Sequence, residues 1–155
     1  EMEIARRTTT GGAASVQSVL SPEEICELQR LVISVPISEH LLRYAVSIVR
    51  ATRVDQPEAL EYCRQNLSWG AGTRAIQYLV LGGKARSLLL GRGHVTIEDI
   101  QALSAPVLRH RLGINFAAGS VGITPDDVIA RVLESIPTRE DELTRDPRFR
   151  QMLAS

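Results

Sequence analysis

The apolar residues of this chain recur mainly every three or four positions, which is the spacing of one face of an α-helix. The longest such pattern runs from Thr73 to Leu90. One side of it carries small and aliphatic residues, namely Ile76, Leu79, Val80, Gly83, Ser87 and Leu90. Leu81 and Leu88 lie on the other side. We therefore predict a helix that is apolar on two sides and central in its bundle.

Helix start signals stand before the other helical patterns. Three of them combine a Ser or Thr N-cap with an acidic residue three positions later, and these caps are Ser21, Thr96 and Thr124. Ser38 is predicted to cap a further helix, and Glu58 to Gln65 to form a short one.

Pro106 lies inside the helical pattern that follows Thr96 and runs to Leu112. Because proline lacks the backbone N–H of a helix interior, we expect a kink or a split at this position. The Gly82-Gly83 pair lowers helix propensity within the longest helix, and it indicates a close contact with another helix.

Few stretches resemble strands, and the connections between the helical patterns are short. The predicted fold class is all-α, an antiparallel helical bundle. We divide the chain into a connecting segment over 1–20, a helical domain over 21–137 and a charged tail over 138–155, which is expected at the surface or partly disordered. Because Glu1 to Arg7 already read as part of a helix, we expect the chain to belong to a longer protein.

The composition narrows the class of protein. The 155 residues are enough for one domain, and with 44% hydrophobic but 4% aromatic residues its core must be aliphatic. Lys+Arg and Asp+Glu are equal at 18 each, which argues against a nucleic-acid binder or a binder of anionic membranes. Cys26 and Cys63 lie far apart, and this favours two reduced thiols in a cytoplasmic protein.

Arg74 breaks a local rule at the start of the longest helix. It brings a cation into the first turn, where the helix dipole favours anions. The Gly-rich turn Trp69-Gly70-Ala71-Gly72 precedes it, and we interpret Trp69 as the anchor of that turn. An arginine in this place can add its charge to the backbone N–H groups that bind a phosphate at a helix start. The alternative is a surface arginine without such a role.

Other charged or metal-binding residue types form no catalytic pattern. No metal-ligand spacing links the three histidines, His40, His94 and His110. The sequence also lacks a P-loop motif. Arg109-His110-Arg111 is best explained as favourable charge near a helix C-terminus, and Glu98 and Asp99 by helix capping.

Several motifs occur in a characteristic order. They are Trp69-Gly70-Ala71-Gly72-Thr73-Arg74-Ala75, Gly83-Lys84-Ala85-Arg86, Val95-Thr96-Ile97-Glu98-Asp99-Ile100, Pro106-Val107-Leu108-Arg109-His110-Arg111-Leu112 and Gly122-Ile123-Thr124-Pro125-Asp126. Three earlier segments go with them: Arg6-Arg7-Thr8-Thr9, Leu20-Ser21-Pro22-Glu23-Glu24 and Val49-Arg50-Ala51-Thr52-Arg53. Together, over roughly Glu1 to Pro137, they resemble the C-terminal part of MoxR-type AAA+ ATPases.

In that family this region is the helical lid that follows an α/β nucleotide-binding domain. The resemblance implies that Arg74 is the sensor-2 arginine, which reaches the β- and γ-phosphates of ATP held by the chain's own N-terminal P-loop domain, with Gly72 and Thr73 beside the nucleotide. The family usually has proline immediately before this arginine. Here Thr73 stands there, and a threonine can cap the helix instead.

The resemblance also implies cofactors and partners. ATP and Mg²⁺ are expected in the full-length protein, whereas the present chain alone is expected to bind neither and to have no ATPase activity. The family acts in chaperone-like assembly or maturation of client proteins, forms hexameric rings, and often works beside proteins with von Willebrand factor A domains.

Two other interpretations belong to different classes of protein. One is a free-standing helical module whose arginines bind a protein partner. The other is a helical DNA binder that uses Arg109-His110-Arg111, which the equal numbers of positive and negative residues weaken.

Overall fold

Helices make up most of the computed structural model, which describes residues 1–9 and 17–149, and the predicted all-α class is confirmed. In chain order the helices are α1 (Met2–Thr9), α2 (Pro22–Ser34), α3 (Glu39–Ala51), α4 (Glu61–Asn66), α5 (Thr73–Leu89), α6 (Ile97–Leu108), α7 (Phe116–Ser120), α8 (Pro125–Ser135) and α9 (Glu140–Arg145). Two short strands accompany them, β1 (Leu67–Trp69) and β2 (Gly113–Ile114).

The chain divides into two units, Glu1–Leu31 and Val32–Ser155. In the first unit, α1 confirms the helical pattern at the start of the chain, and its residues are exposed. The connecting segment predicted over 1–20 thus begins with a helix, and its residues 10–16 lie outside the described residues.

The helix caps follow the sequence closely. The backbone N–H of Ser21 donates to Glu24 Oε2 at 2.7 Å, and the N–H of Glu24 donates to Ser21 Oγ at 3.2 Å. Thr124 and Asp127 exchange the same pair of bonds, at 2.8 and 3.3 Å. Ser38 accepts from the Leu41 N–H at 3.3 Å. These side chains satisfy backbone groups that a helix start leaves without partners, so three of the predicted caps are confirmed.

The core of the second unit is aliphatic, as the composition predicts. Its fully buried side chains include Ile48 and Val49 of α3, Leu79 of α5, and Val128 and Val132 of α8. α5 packs against both α3 and α6. The central position predicted for this helix is therefore confirmed.

The two glycines inside α5 allow α6 to approach closely. A Cβ atom at Gly82 would lie 2.9 Å from Leu103 Cδ1, and one at Gly83 would lie 3.1 Å from Ile100 Cδ1. Both distances are below ordinary van der Waals contact, so the predicted close helix contact is confirmed.

The outer side of α5 differs from the prediction. Of the two leucines on this side, Leu81 is 43% exposed and Leu88 is partly buried against the core. Within the described residues the fully buried side of the helix runs along Ala75, Leu79 and Gly83, and the second apolar side reaches the core only in part.

The course of the chain after Thr96 also needs a correction. α6 is one helix through Pro106 and ends at Leu108, so it is not split and the extension to Leu112 is wrong, while a kink stays a prediction. Pro106 removes one helical N–H···O=C bond, and the helix continues for only two residues beyond it. After α6 the chain forms β2, which pairs antiparallel with β1 through Leu67 and Ile114.

α4 begins three residues later than predicted. The Leu60 N–H bonds the Ala51 carbonyl at 3.0 Å, which holds the chain against the end of α3 immediately before Glu61. Glu58 does not join the helix, because it is buried and its carboxylate forms an ion pair with Arg50.

Two residues of the charged C-terminal segment lie in the core. Leu143 of α9 and Phe149 are both fully buried, which the charged composition of this segment did not predict. Residues 150–155 lie outside the described part of the chain. The domain boundaries at 20 and 137 stay predictions.

Within the described residues, no single helix is long and apolar enough to span a membrane, and α2 and α3 reach the required length and hydropathy only together. Across the same residues no three His, Cys, Asp or Glu side chains are grouped as a metal site would need.

Candidate functional site

Arg74 lies in the first turn of α5 and is exposed to solvent. Its guanidinium forms no hydrogen bond or ion pair with any residue that the structure describes. The first turn of α5 contains no acidic residue, and Gly72 at the N-cap offers no side-chain cap. The helix therefore begins with uncapped backbone N–H groups and an unneutralised cation, a combination that suits an anion.

Contacts with the end of α3 hold the turn that precedes Arg74. Thr52 is fully buried, and its Oγ1 accepts a hydrogen bond from the Ala71 N–H at 3.0 Å while donating to the Val49 carbonyl at 2.7 Å. A Cβ atom at Gly70 would overlap the Thr52 carbonyl, so the backbone can approach this closely only at a glycine.

The side chain of Arg53 also holds this turn, through two hydrogen bonds. Its Nε donates to the Ala71 carbonyl at 3.0 Å, and its Nη2 donates to Thr73 Oγ1 at 3.4 Å. Thr73 is the first residue of α5, and Gly72 is the N-cap. The expectation that Thr73 caps the helix is therefore wrong, and its hydroxyl is held by Arg53.

An open pocket of about 290 Å³ lies beside the turn. Its walls are two chain segments, Arg53 to Gln56 and Trp69 to Gly72. The Trp69 ring, 62% exposed, lies against Gly113 so closely that a Cβ there would overlap the ring. Arg64 donates to the carbonyls of Val54 and Gln56 at 2.9 and 2.6 Å and so fixes the opposite wall.

A buried carboxylate joins the other end of α5 to α6. Asp99 is fully buried and accepts from Arg86 at 2.5 Å and from Arg92 at 2.6 and 2.8 Å. The Thr96 N–H donates to the same carboxylate at 2.9 Å. Burial raises the pKa of the Asp99 carboxyl, but the bonds from Arg92, the Thr96 backbone and Arg86 outweigh burial and hold that pKa well below its usual range.

The basic cluster Arg109-His110-Arg111 is largely engaged within the unit. Arg109 forms a bidentate ion pair with Asp126 at 2.9 and 3.1 Å. Arg111 donates to the Val107 carbonyl, and its guanidinium lies 5.1 Å from the centre of the Tyr78 ring. These contacts favour the interpretation as charge near a helix C-terminus over a nucleic-acid site.

The family model of the AAA lid domain matches residues 60–132, the range that contains β1, the turn, α5 and α6. Chaperone MoxR1 of Mycobacterium tuberculosis is 28% identical over 120 residues, which are 77% of this chain and 32% of that protein. Residues 60–132 form an AAA lid domain, and over 77% of its length the chain is similar to a MoxR chaperone.

Two further relatives agree with this assignment. Uncharacterized protein YeaC of Bacillus subtilis is 25% identical over 122 residues, 79% of this chain and 35% of that protein. The crystal structure of a "putative ATPase" from Cytophaga hutchinsonii has a TM-score of 0.74 and 29% identity, and the match covers 89% of this chain and 42% of that one. The chain thus spans about a third of the length of its curated relatives.

The structure brings together the residues that the sequence proposed for the lid site. Gly72, Thr73 and Arg74 are consecutive and exposed at the start of α5. Arg53 lies 20 positions before Thr73, and no local pattern in the sequence predicts its contact with the turn. Its presence next to Thr52 in a motif shared with the family was the one available signal.

Proposed function

We propose that this chain is the lid of a MoxR-type ATPase and that Arg74 is its sensor-2 arginine, which contacts the β- and γ-phosphates of ATP bound by a P-loop domain of the same protein. The observation that carries the proposal is the exposed guanidinium of Arg74, without an ion pair in the described part of the chain, at the uncapped start of α5. Gly72 supports it, because a Cβ at Gly72 would meet no atom within 4 Å and the backbone there is open to a ligand.

The chemistry of the group fits this role. A guanidinium has two parallel N–H donors that match two phosphate oxygens, and it keeps its charge at any physiological pH. ATP with Mg²⁺ would supply the phosphoryl group for transfer. Arg74 would bind and orient the terminal phosphates, and Mg²⁺ would be held by the P-loop domain, since the described residues of this chain group no carboxylates for it.

The packing of α5 would transmit a movement of Arg74 to the neighbouring helices. Because α5 packs on α3 and α6, and its Arg86 pairs with Asp99 of α6, a displacement of Arg74 would move these helices together. The position of the lid would then depend on the presence of the γ-phosphate. Such coupling would convert hydrolysis into work on a client protein, in a chaperone-like assembly or maturation reaction.

The remaining features of the proposal concern the full-length protein. It would form a homo-oligomeric ring, hexameric as in the family, and would work with a protein that contains a von Willebrand factor A domain. The two free cysteines, Cys26 and Cys63, support a cytoplasmic location.

The test is ATP hydrolysis by the full-length protein with Arg74→Ala and Arg74→Lys. We expect alanine to lower kcat about 100-fold, the order expected when one preorganised charge contact is lost, and lysine to restore activity only in part. Arg131→Ala is the matched control, because the Arg131 side chain is also exposed on a helix and pairs at the surface with Glu134 at 3.1 Å. Normal hydrolysis by Arg74→Ala would leave Arg74 as an ordinary surface residue and refute the proposal.

The second candidate function is a helical protein-interaction module. The observation in its favour is an exposed apolar row on α2, where Ile25, Leu28 and Leu31 are 45%, 48% and 50% exposed. Binding of a partner by the full-length protein that is lost on Leu28→Ser but kept on Arg74→Ala would support this function.

A further inference from the structure

Arg53 bonds Ala71 and Thr73, two of the three residues that precede Arg74. We propose that Arg53 is a positioning residue, whose fork of N–H groups sets the direction in which Arg74 leaves the start of α5. The inference rests on the proposed function, because the direction of Arg74 matters only if Arg74 contacts a ligand.

The contacts of Arg53 are divided between the two sides of the helix start. Nε donates to the Ala71 carbonyl at 3.0 Å, three residues before Arg74, and Nη2 donates to Thr73 Oγ1 at 3.4 Å, one residue before it. One rigid planar group therefore spans the N-cap residue Gly72 from either side.

Gly72 and Thr73 have no other restraint of this kind. Gly72 has no side chain, and its freedom of φ and ψ is the largest of any residue type. Thr73 has no ring to fix its φ angle. In the described structure, Arg53 bonds Thr73 itself and Ala71, the residue before Gly72, so it restrains the chain on both sides of Gly72.

The fold itself is supported by different contacts. Thr52 holds the buried Ala71 N–H at 3.0 Å, and Gly70 packs on the backbone of Thr52. Arg53 is partly exposed, and one of its two acceptors, Thr73, lies at the surface. Removal of the Arg53 fork should therefore loosen the start of α5 and leave the core in place.

The experiment is a double-mutant cycle in the full-length protein, with Arg53→Gln and Arg53→Lys placed in the wild type and in Arg74→Ala. We measure kcat and KM for ATP and the thermal unfolding midpoint of each variant. If Arg53 acts through Arg74, Arg53→Gln should lower kcat about 10-fold in the wild type, as misplacement of a contact group does, and less than about twofold in Arg74→Ala.

Arg53→Lys separates positioning from charge. Lysine keeps the positive charge, but a single ammonium cannot bond the Ala71 carbonyl and Thr73 Oγ1 in a fixed plane. We therefore expect Lys to lower kcat nearly as much as Gln, with the unfolding midpoint close to that of the wild type. Because Lys changes the fold least, its cycle with Arg74→Ala decides the outcome if Gln lowers the unfolding midpoint.

Arg109→Gln is the matched control. Arg109 also uses its Nε and Nη2 atoms to hold two acceptors, Oδ1 and Oδ2 of Asp126 at 3.1 and 2.9 Å, and this pair lies away from the turn at Ala71 to Thr73. We expect its kcat to stay within about twofold of the wild type.

Four results would overturn the inference. Arg53 acts through its charge if Arg53→Lys retains full kcat, and it acts on the fold if its variants cause equal fractional losses with and without Arg74. An unchanged kcat of both Arg53 variants, beside a large loss in Arg74→Ala, would refute the positioning role and leave the proposed function standing. If Arg74→Ala itself hydrolyses ATP normally, the proposed function fails, and the positioning role fails with it.

Discussion

The Oγ1 atom of Thr52 accepts a hydrogen bond from the backbone N–H of Ala71 at 3.0 Å, and both residues are buried. This bond connects the end of α3 to the turn that opens α5, across 19 positions of sequence. The bond fixes the position of the start of α5 relative to α3, although the N-cap residue of α5 is a glycine.

Loss of this bond should destabilise the domain. Thr52→Val keeps the shape of the side chain but leaves the Ala71 N–H buried without an acceptor, which costs about 1–3 kcal/mol. Thr52→Ser keeps the hydroxyl and is the control. Chemical denaturation measures both variants, and a Thr52→Val midpoint equal to that of Thr52→Ser would contradict the role of this bond.

The Asp99 network should make stability depend on acid pH. The folded pKa of Asp99 lies well below its usual range, so the carboxylate stabilises the fold fully above its unfolded pKa, near 3.9, and this contribution is lost as the pH falls from there towards the folded pKa. Asp99→Asn removes the negative charge that pairs with Arg86 and Arg92. We expect it to lower the free energy of unfolding by about 3 kcal/mol at pH 7.

Asp126→Asn is the matched control for Asp99, because Asp126 pairs with Arg109 at a site where both side chains are 54% exposed. Its substitution should cost less than about 1 kcal/mol. Denaturation curves from pH 7 to pH 2 test both. Two results would contradict the stabilising role of the Asp99 carboxylate. One is an equal decrease in the free energy of unfolding for Asp99→Asn and Asp126→Asn at pH 7. The other is an Asp99→Asn variant whose stability falls with acid pH as much as that of the wild type.

The two cysteines should differ in reactivity. Cys26 is exposed, whereas Cys63 is buried and burial raises its pKa to about 11. At pH 8 a thiol reagent should therefore modify one cysteine in the native chain and two after denaturation. Cys26→Ser should abolish the native reaction. Rapid modification of Cys63 in native Cys26→Ser would show that α4 opens readily.

The N-cap residues Thr124 and Thr96 should stabilise their helices through different hydrogen bonds. Thr124 Oγ1 accepts from the Asp127 N–H at 3.3 Å, so Thr124→Ala should cost about 1 kcal/mol. At the start of α6 the Thr96 hydroxyl donates to Asp99 Oδ2 at 3.3 Å, while the Thr96 backbone N–H makes a shorter bond to the same atom at 2.9 Å. The Thr96 backbone bond remains in Thr96→Ala. Urea denaturation should therefore show a smaller decrease in the free energy of unfolding for Thr96→Ala than for Thr124→Ala. The reverse order would contradict this assignment.

The sequence predicted those features that depend on neighbours three or four positions apart. These include the caps at Ser21 and Thr124, the span of α5 and its glycine contact with α6. The family resemblance, which rests on ordered motifs, is confirmed as well.

The missed features join residues far apart in sequence. Arg53 reaches Ala71 across 18 positions and Arg86 reaches Asp99 across 13, and no local periodicity reports such bonds. β1 and β2 are three and two residues long, too short to show a strand alternation. Phe149 is buried despite charged neighbours, because burial depends on the surface that it meets and not on the composition of its own segment.

The most direct test of the central claim is the ratio of two affinities of the full-length protein, one for ADP and one for a non-hydrolysable ATP analogue. Both are measured by calorimetry in the wild type and in Arg74→Ala, with Arg131→Ala as the control. If Arg74 contacts the γ-phosphate, the substitution should weaken the ATP analogue by about tenfold or more relative to ADP, since a charge-assisted contact is worth about 1.5–3 kcal/mol. Equal weakening of both nucleotides, or of neither, would contradict the account.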